Sequence, residues 1–88
     1  MIEQTVTIRN KMGLHARPAA LLVQTASRFK SKIKIFRGDQ EVDGKSIMGL
    51  MTLAASSGSA LRIVADGEDE NEAIAAIAKI VENGFGEE

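Results

Sequence analysis

The apolar residues of this chain change their spacing repeatedly, and no stretch keeps one period long enough to build a core alone. Residues 2–8 alternate, with Ile2, Gln4, Val6 and Ile8 on one side and Glu3, Thr5 and Thr7 on the other. That is the pattern of a half-buried strand with one polar exception. Residues 16–27 place Ala19, Leu22, Val23 and Ala26 at i, i+3, i+4 and i+7, the stripe of an amphipathic helix. Alternation returns over 32–37 with Ile33 and Ile35 inward, Gly38-Asp39 turns the chain, and 40–43 supplies a second hairpin arm. Ser46 caps a short helix to about residue 53, with Leu50, Leu53 and Ala54 as its core stripe. After a turn at 56–59, residues 60–66 form a strand with Leu61 and Ile63 inward, and Gly67 breaks it. Asp69 and Glu72 have the spacing of a capping box for a last helix. Ile74, Ile77, Ala78 and Val81 make its stripe, and Gly84 is its C′ stop.

The order is therefore β-α-β-β-α-β-α. Four short strands with one apolar face need a cover, and the helices supply it. The fold class expected is α+β: an open-faced β-sandwich, a four-stranded and mainly antiparallel sheet covered on one face by three helices. With 88 residues and no repeat or linker, residues 1–88 read as a single domain.

Composition narrows the chemistry. The absence of cysteine removes disulfides, thiol nucleophiles and thiolate-bound metals, and one histidine cannot supply the several nitrogen ligands of a zinc site. No metal and no cofactor are expected. The longest uncharged run, residues 46–61, is interrupted by serines, threonines and glycines and is too short for a membrane span of roughly 20 apolar residues. The N-terminus alternates instead of presenting a targeting segment. The chain reads as cytoplasmic, with no membrane insertion. The formal net charge of -1 hides a split between +5 over residues 1–45 and -6 over residues 46–88. A basic half suits an acidic partner, but three phenylalanines as the only aromatics argue against nucleic acid.

Chemistry concentrates at Gly13-Leu14-His15-Ala16-Arg17-Pro18. Pro18 fits the first turn of a helix, where backbone N–H groups lack an intrahelical acceptor, so His15 falls at or near the N-cap. The free N–H groups of Ala16 and Arg17 and the helix dipole make an anion cradle there. The Arg17 guanidinium suits phosphate oxygens, and Gly13 permits backbone closed to other residues. A histidine titrates near neutral pH. A nucleophilic imidazole beside an anion cradle fits phosphoryl transfer, where catalysis is mostly positioning and charge stabilisation. A lone histidine at a helix start is more often only a surface residue; the combination is what points to chemistry.

The segment Gly13-Leu14-His15-Ala16-Arg17-Pro18-Ala19 resembles the active-site signature of the HPr family, the histidine-containing phosphocarriers of the bacterial phosphoenolpyruvate-dependent sugar phosphotransferase system. Lys45-Ser46-Ile47-Met48-Gly49-Leu50-Met51 resembles the regulatory serine segment of the same family, and length and element order match as well. The resemblance implies that His15 accepts a phosphoryl group on Nδ1 from phosphorylated enzyme I and passes it to sugar-specific enzyme IIA components, with Arg17 steadying the phosphate. It implies a carrier without turnover of its own, so not an enzyme, and a monomer. It also implies that the helices at 16 and 46 begin near one edge of the molecule.

Ser46 is explained by capping alone. The resemblance adds regulation, by an ATP-dependent HPr kinase/phosphorylase and through it a transcriptional regulator. Ile47, Met48 and Met51 exceed what one buried helix face can use, and such a patch marks a partner site. With Gly49 on the short helix, and Ala16, Arg17, Ala20, Gln24 and Ser27 on the outer side of the first helix, they form the expected docking surface. Two other readings remain: a nitrogen-type regulatory paralogue, and an adaptor that carries no phosphate.

Overall fold

A computed structural model describes Met1–Glu87. Strand β1 spans Ile2–Thr7, helix α1 Ala16–Ala26, β2 Lys32–Arg37, β3 Gln40–Asp43, α2 Ile47–Thr52, β4 Ala60–Asp66 and α3 Glu70–Glu82, followed by a 3-10 turn at Gly84–Gly86. The expected order is met. The sheet runs β1-β4-β2-β3, and every neighbouring pair is antiparallel. β1 and β2 are consequently parallel but separated by β4, so α1 is a crossover that leaves a slot which β4 later fills.

Register follows the alternation. Val6 faces Leu61, Ile35 faces Ile63 and Ile33 faces Ala65 across the strands, and all six are buried. Ala19, Leu22 and Ala26 of α1, Leu50 and Leu53 around α2, and Ala73, Ile74, Ile77, Ala78 and Val81 of α3 close over them. The opposite sheet face is polar; there Arg62 lies 4.1 Å from the centroid of the Phe36 ring and pairs with Glu3 at 3.2 Å.

Three local expectations are corrected. Ala54 is not core: it is exposed with φ 49°, because the chain reverses after Leu53 to bring buried Ala55 inward. Val23 is only partly buried. Asp69 occupies the N-cap of α3 but makes no side-chain cap. Its carboxylate instead accepts from the N–H groups of Lys30 (2.8 Å) and Ser31 (3.0 Å) and from the Ser31 hydroxyl. Those bonds hold its carboxyl down at about 2. Glu70, not Glu72, reaches back, accepting from the Gly67 N–H at 3.1 Å.

Gly84 ends α3 in the left-handed region, φ 65°, as its C′ position requires. Phe85 then buries its ring and returns the tail towards the start of α1.

Candidate functional site

His15 is the N-cap of α1, in extended conformation, and its ring makes no cap hydrogen bond. Its carbonyl accepts the Ala19 N–H at 2.9 Å, opening the helix. Pro18 has no N–H, and among the described residues the Ala16 and Arg17 N–H groups meet no backbone carbonyl. The helix thus starts with two free donors beside a ring left available for chemistry.

The loop before it is held on several sides. Gly13 has φ 72° and lies against Ala55 and Ser56 so closely that a Cβ would fall 2.5 Å from the Ala55 carbonyl oxygen. The Leu14 N–H donates to that same oxygen at 2.8 Å, and the His15 N–H donates back to Gly13 at 3.0 Å. Asn10, buried, donates from Nδ2 to the Gly13 carbonyl at 2.7 Å.

The same Asn10 amide reaches Glu87 Oε1 at 2.9 Å, and the Glu87 carboxylate meets His15 Nε2 at 3.2 Å. The Asn10 hydrogen bond, with the His15 ring and the Arg17 charge, holds the Glu87 carboxyl below the usual carboxylate range. An ionised carboxylate only accepts, so Nε2 carries the ring proton and the lone pair of a neutral ring sits on Nδ1. Nδ1 has no partner among the described residues. His15, Arg17, Lys11, Met12, Gln24 and Phe85 line one open depression with Glu87.

Glu87, Asn10, Phe85 and Met12 were not singled out by sequence reasoning. A signal existed for one of them: a phenylalanine between two glycines just past a helix stop is the apolar residue that commonly packs back at a helix C-terminus.

The second motif is built as expected. Ser46 is the N-cap of α2 and its Oγ accepts the Gly49 N–H at 3.0 Å. Ile47, Met48 and Met51 are exposed while Leu50 and Leu53 are buried, and Gly49 is partly buried. On α1, Ala16, Arg17, Gln24 and Ser27 are exposed and Ala20 partly so. The two helix starts, however, do not share an edge. α1 begins against Ala55, just beyond the end of α2. The segment leading to Ser46 lies instead past the far end of α1, where Gly44 N–H donates to Ile33 and Lys45 Nζ donates to the Phe29 carbonyl at 2.8 Å. The physical reason is topological: α2 leaves β3 at the sheet end where β2 begins.

Among the described residues no group of three or more His, Cys, Asp or Glu is placed to hold a metal ion, and no helix is long and apolar enough to cross a membrane.

A family profile described as the PTS HPr component phosphorylation site matches residues 2–83. Phosphocarrier protein HPr of Treponema pallidum is 51% identical over 88 residues, covering 100% of both chains. HPr-like protein Crh of Bacillus subtilis is 49% identical over 82 residues, 93% of this chain and 96% of that one. The crystal structure of HPr-C-His from Thermoanaerobacter tengcongensis superposes with a TM-score of 0.96 at 52% identity, covering 100% of this chain and 99% of that one.

Proposed function

The chain belongs to the HPr family, the phosphocarriers of the phosphotransferase system, and from that premise we propose that His15 Nδ1 is the atom that carries the phosphoryl group. It is a relay protein and not a catalytic enzyme. The observation that carries the assignment is the Glu87 carboxylate on Nε2, which leaves the nucleophilic lone pair on Nδ1.

In the step, Nδ1 attacks the phosphorus of a phosphohistidine on enzyme I. A new N–P bond forms, the donor N–P bond breaks, and the donor nitrogen keeps the electron pair. The Ala16 and Arg17 N–H groups and the Arg17 guanidinium take up charge on the transferring oxygens, while Pro18 fixes the turn that presents them. Nε2–H stays on Glu87 throughout, so Glu87 acts as a positioning residue. Transfer to an enzyme IIA is the same step reversed on a new acceptor. The partners dock on the outer face of α1 and on Ile47, Met48, Gly49 and Met51. Ser46 is the regulatory position for an HPr kinase/phosphorylase, with a transcriptional regulator downstream, and the chain works as a cytoplasmic monomer.

The test is incubation with phosphoenolpyruvate and enzyme I, comparing wild type with His15→Ala. An acid-labile, base-stable phosphate that vanishes in the variant is the expected result; equal labelling of both overturns the assignment. The likeness to Crh, described as a catabolite repression HPr, supports a second reading in which the chain serves regulation alone. In its adaptor form that reading requires that wild type take no phosphate from enzyme I; in its nitrogen-type form the chain takes phosphate and passes none to a sugar-specific enzyme IIA.

A further inference from the structure

The chain has four methionines and no cysteine, so methionine is its only sulfur. Methionine is ordinarily among the residues most often buried. Here none is in the core: Met1 is 79% exposed, Met12 73%, Met48 76% and Met51 43%. The interior is filled by Ala, Val, Ile, Leu and Phe. Oxidising any of these sulfurs therefore puts no polar atom among buried side chains. Three of the four also stand where the relay works. Met12 lines the depression that holds His15 and Arg17, and Met48 and Met51 lie on the exposed side of α2.

We propose that Met12 is a reversible oxidation site that switches off phosphoryl transfer at His15 while leaving the fold intact. The inference rests on the reading of His15 as the phosphoryl acceptor. The oxidant is a hydroperoxide. The thioether sulfur attacks its terminal oxygen, an S–O bond forms and the O–O bond breaks. The leaving oxygen departs with its electron pair, takes up a proton, and is released as water or an alcohol. Sulfur loses two electrons to the peroxide, and a methionine sulfoxide reductase reverses the change. The product carries a polar acceptor oxygen with partial negative charge. At Met12 that oxygen enters the depression that His15 and Arg17 also line, on a face that must lose its water against the donor. A polar group desolvated without a partner opposes docking, and like partial charges oppose the transferring oxygens. A flexible apolar side chain at the rim of the depression is replaced by a stiffer polar one.

The experiment compares Met48→Leu/Met51→Leu, which retains Met12, with Met12→Leu/Met48→Leu/Met51→Leu. Each is treated with limited hydrogen peroxide, and peptide mapping locates the added oxygen. Transfer from phosphorylated enzyme I is expressed as treated over untreated rate for each variant, and circular dichroism follows the fold. Expected is an about tenfold loss, equivalent to ~1.4 kcal/mol, only where Met12 is present. Unfolding should be unchanged, and the rate should return with methionine sulfoxide reductase. Equal ratios for the two variants overturn the oxidation site while the relay reading stands. If untreated protein takes no phosphate at all, the relay reading has failed and the proposal falls with it.

Discussion

Replacing Gly13 with alanine separates positioning of His15 from simple stability. Two costs can be read from the backbone. An alanine at φ 72° occupies left-handed space at ~1–2 kcal/mol. Its Cβ would lie 2.5 Å from the Ala55 carbonyl oxygen and 2.9 Å from Ser56 Cα, both backbone atoms, so the loop must move. Movement lengthens the Leu14 N–H bond to the same Ala55 oxygen, now 2.8 Å, and an unmade bond at a buried site costs ~1–3 kcal/mol. The sum, ~2–5 kcal/mol, lowers Tm by about 8–40 °C in a domain of this size. Gly38→Ala is the control: its φ is 60°, yet no atom lies within 4 Å of the added Cβ. It bears only the left-handed cost and sits far from His15 in the β2–β3 turn. Thermal denaturation by circular dichroism gives both midpoints, and transfer from enzyme I is measured well below the lower one. Expected is a larger loss of Tm for Gly13→Ala, with slowed transfer in the folded protein, and wild-type transfer for Gly38→Ala. Equal midpoints for the two, or a folded Gly13→Ala with wild-type transfer, would refute the claim that this contact sets the His15 loop.

Ser46→Ala removes the Oγ acceptor of the Gly49 N–H and should cost about 1 kcal/mol, seen as a Tm lower by roughly 4–8 °C; Ser46→Asp should keep Tm and slow transfer from enzyme I. Met48→Asp, at an exposed position, should change stability by no more than about 0.5 kcal/mol while an NMR titration with enzyme I shows weakened docking. Asp69 falls from an ordinary value of 3.8 to about 2 in the fold, so its stabilisation is complete above pH 4 or so and is lost as pH falls through the folded value. Acid titration of unfolding should show that loss between about pH 4 and pH 2, and Asp69→Asn should remove that part of the pH dependence. Glu87→Gln removes the ionised acceptor on Nε2 and should slow transfer with no change in Tm; an unaltered rate would contradict the positioning role.

The elements were legible in the sequence because each carried its own period or punctuation. Ile33 and Ile35 alternate, Ile74, Ile77, Ala78 and Val81 recur at helical spacing, and Ser46, Pro18 and Gly84 mark ends by local chemistry. The helix start at His15 was legible for the same reason: the cap position, Pro18 and the free N–H groups of Ala16 and Arg17 are set within six residues. What failed to show were side-chain pairings between residues far apart, and one local reversal. Asp69 has the local spacing of a cap, but Ser31, thirty-eight residues earlier, offers its carboxylate stronger donors. Ala54 fits a helical stripe until the chain reverses at its positive φ. Glu87 meets His15 across seventy-two residues, and no pattern in either segment announces the other.

The placement of Ser46 constrains how it can influence His15. The chain reaches α2 past the C-terminal end of α1, whereas His15 caps the opposite end. The start of α1 instead meets Ala55, beyond the end of α2, so the whole of that helix, 6 residues or ~9 Å at ~1.5 Å each, lies between the two sites. Exposed charges at physiological ionic strength are screened over ~8 Å. A phosphate on Ser46 therefore exerts little direct repulsion on a phosphoryl group at His15, and its added negative charge meets the helix dipole of α2 favourably. Neither the acceptor chemistry nor the fold is a good target for it. What lies beside Ser46 is the exposed Ile47, Met48 and Met51 patch; on the proposed docking of a partner there, water would be lost and screening with it. There a doubly charged group opposes an apolar or acidic partner surface directly. Regulation at Ser46 should thus raise KM for enzyme I with little change in kcat, and a pure kcat effect with unchanged KM would point instead to coupling through α1.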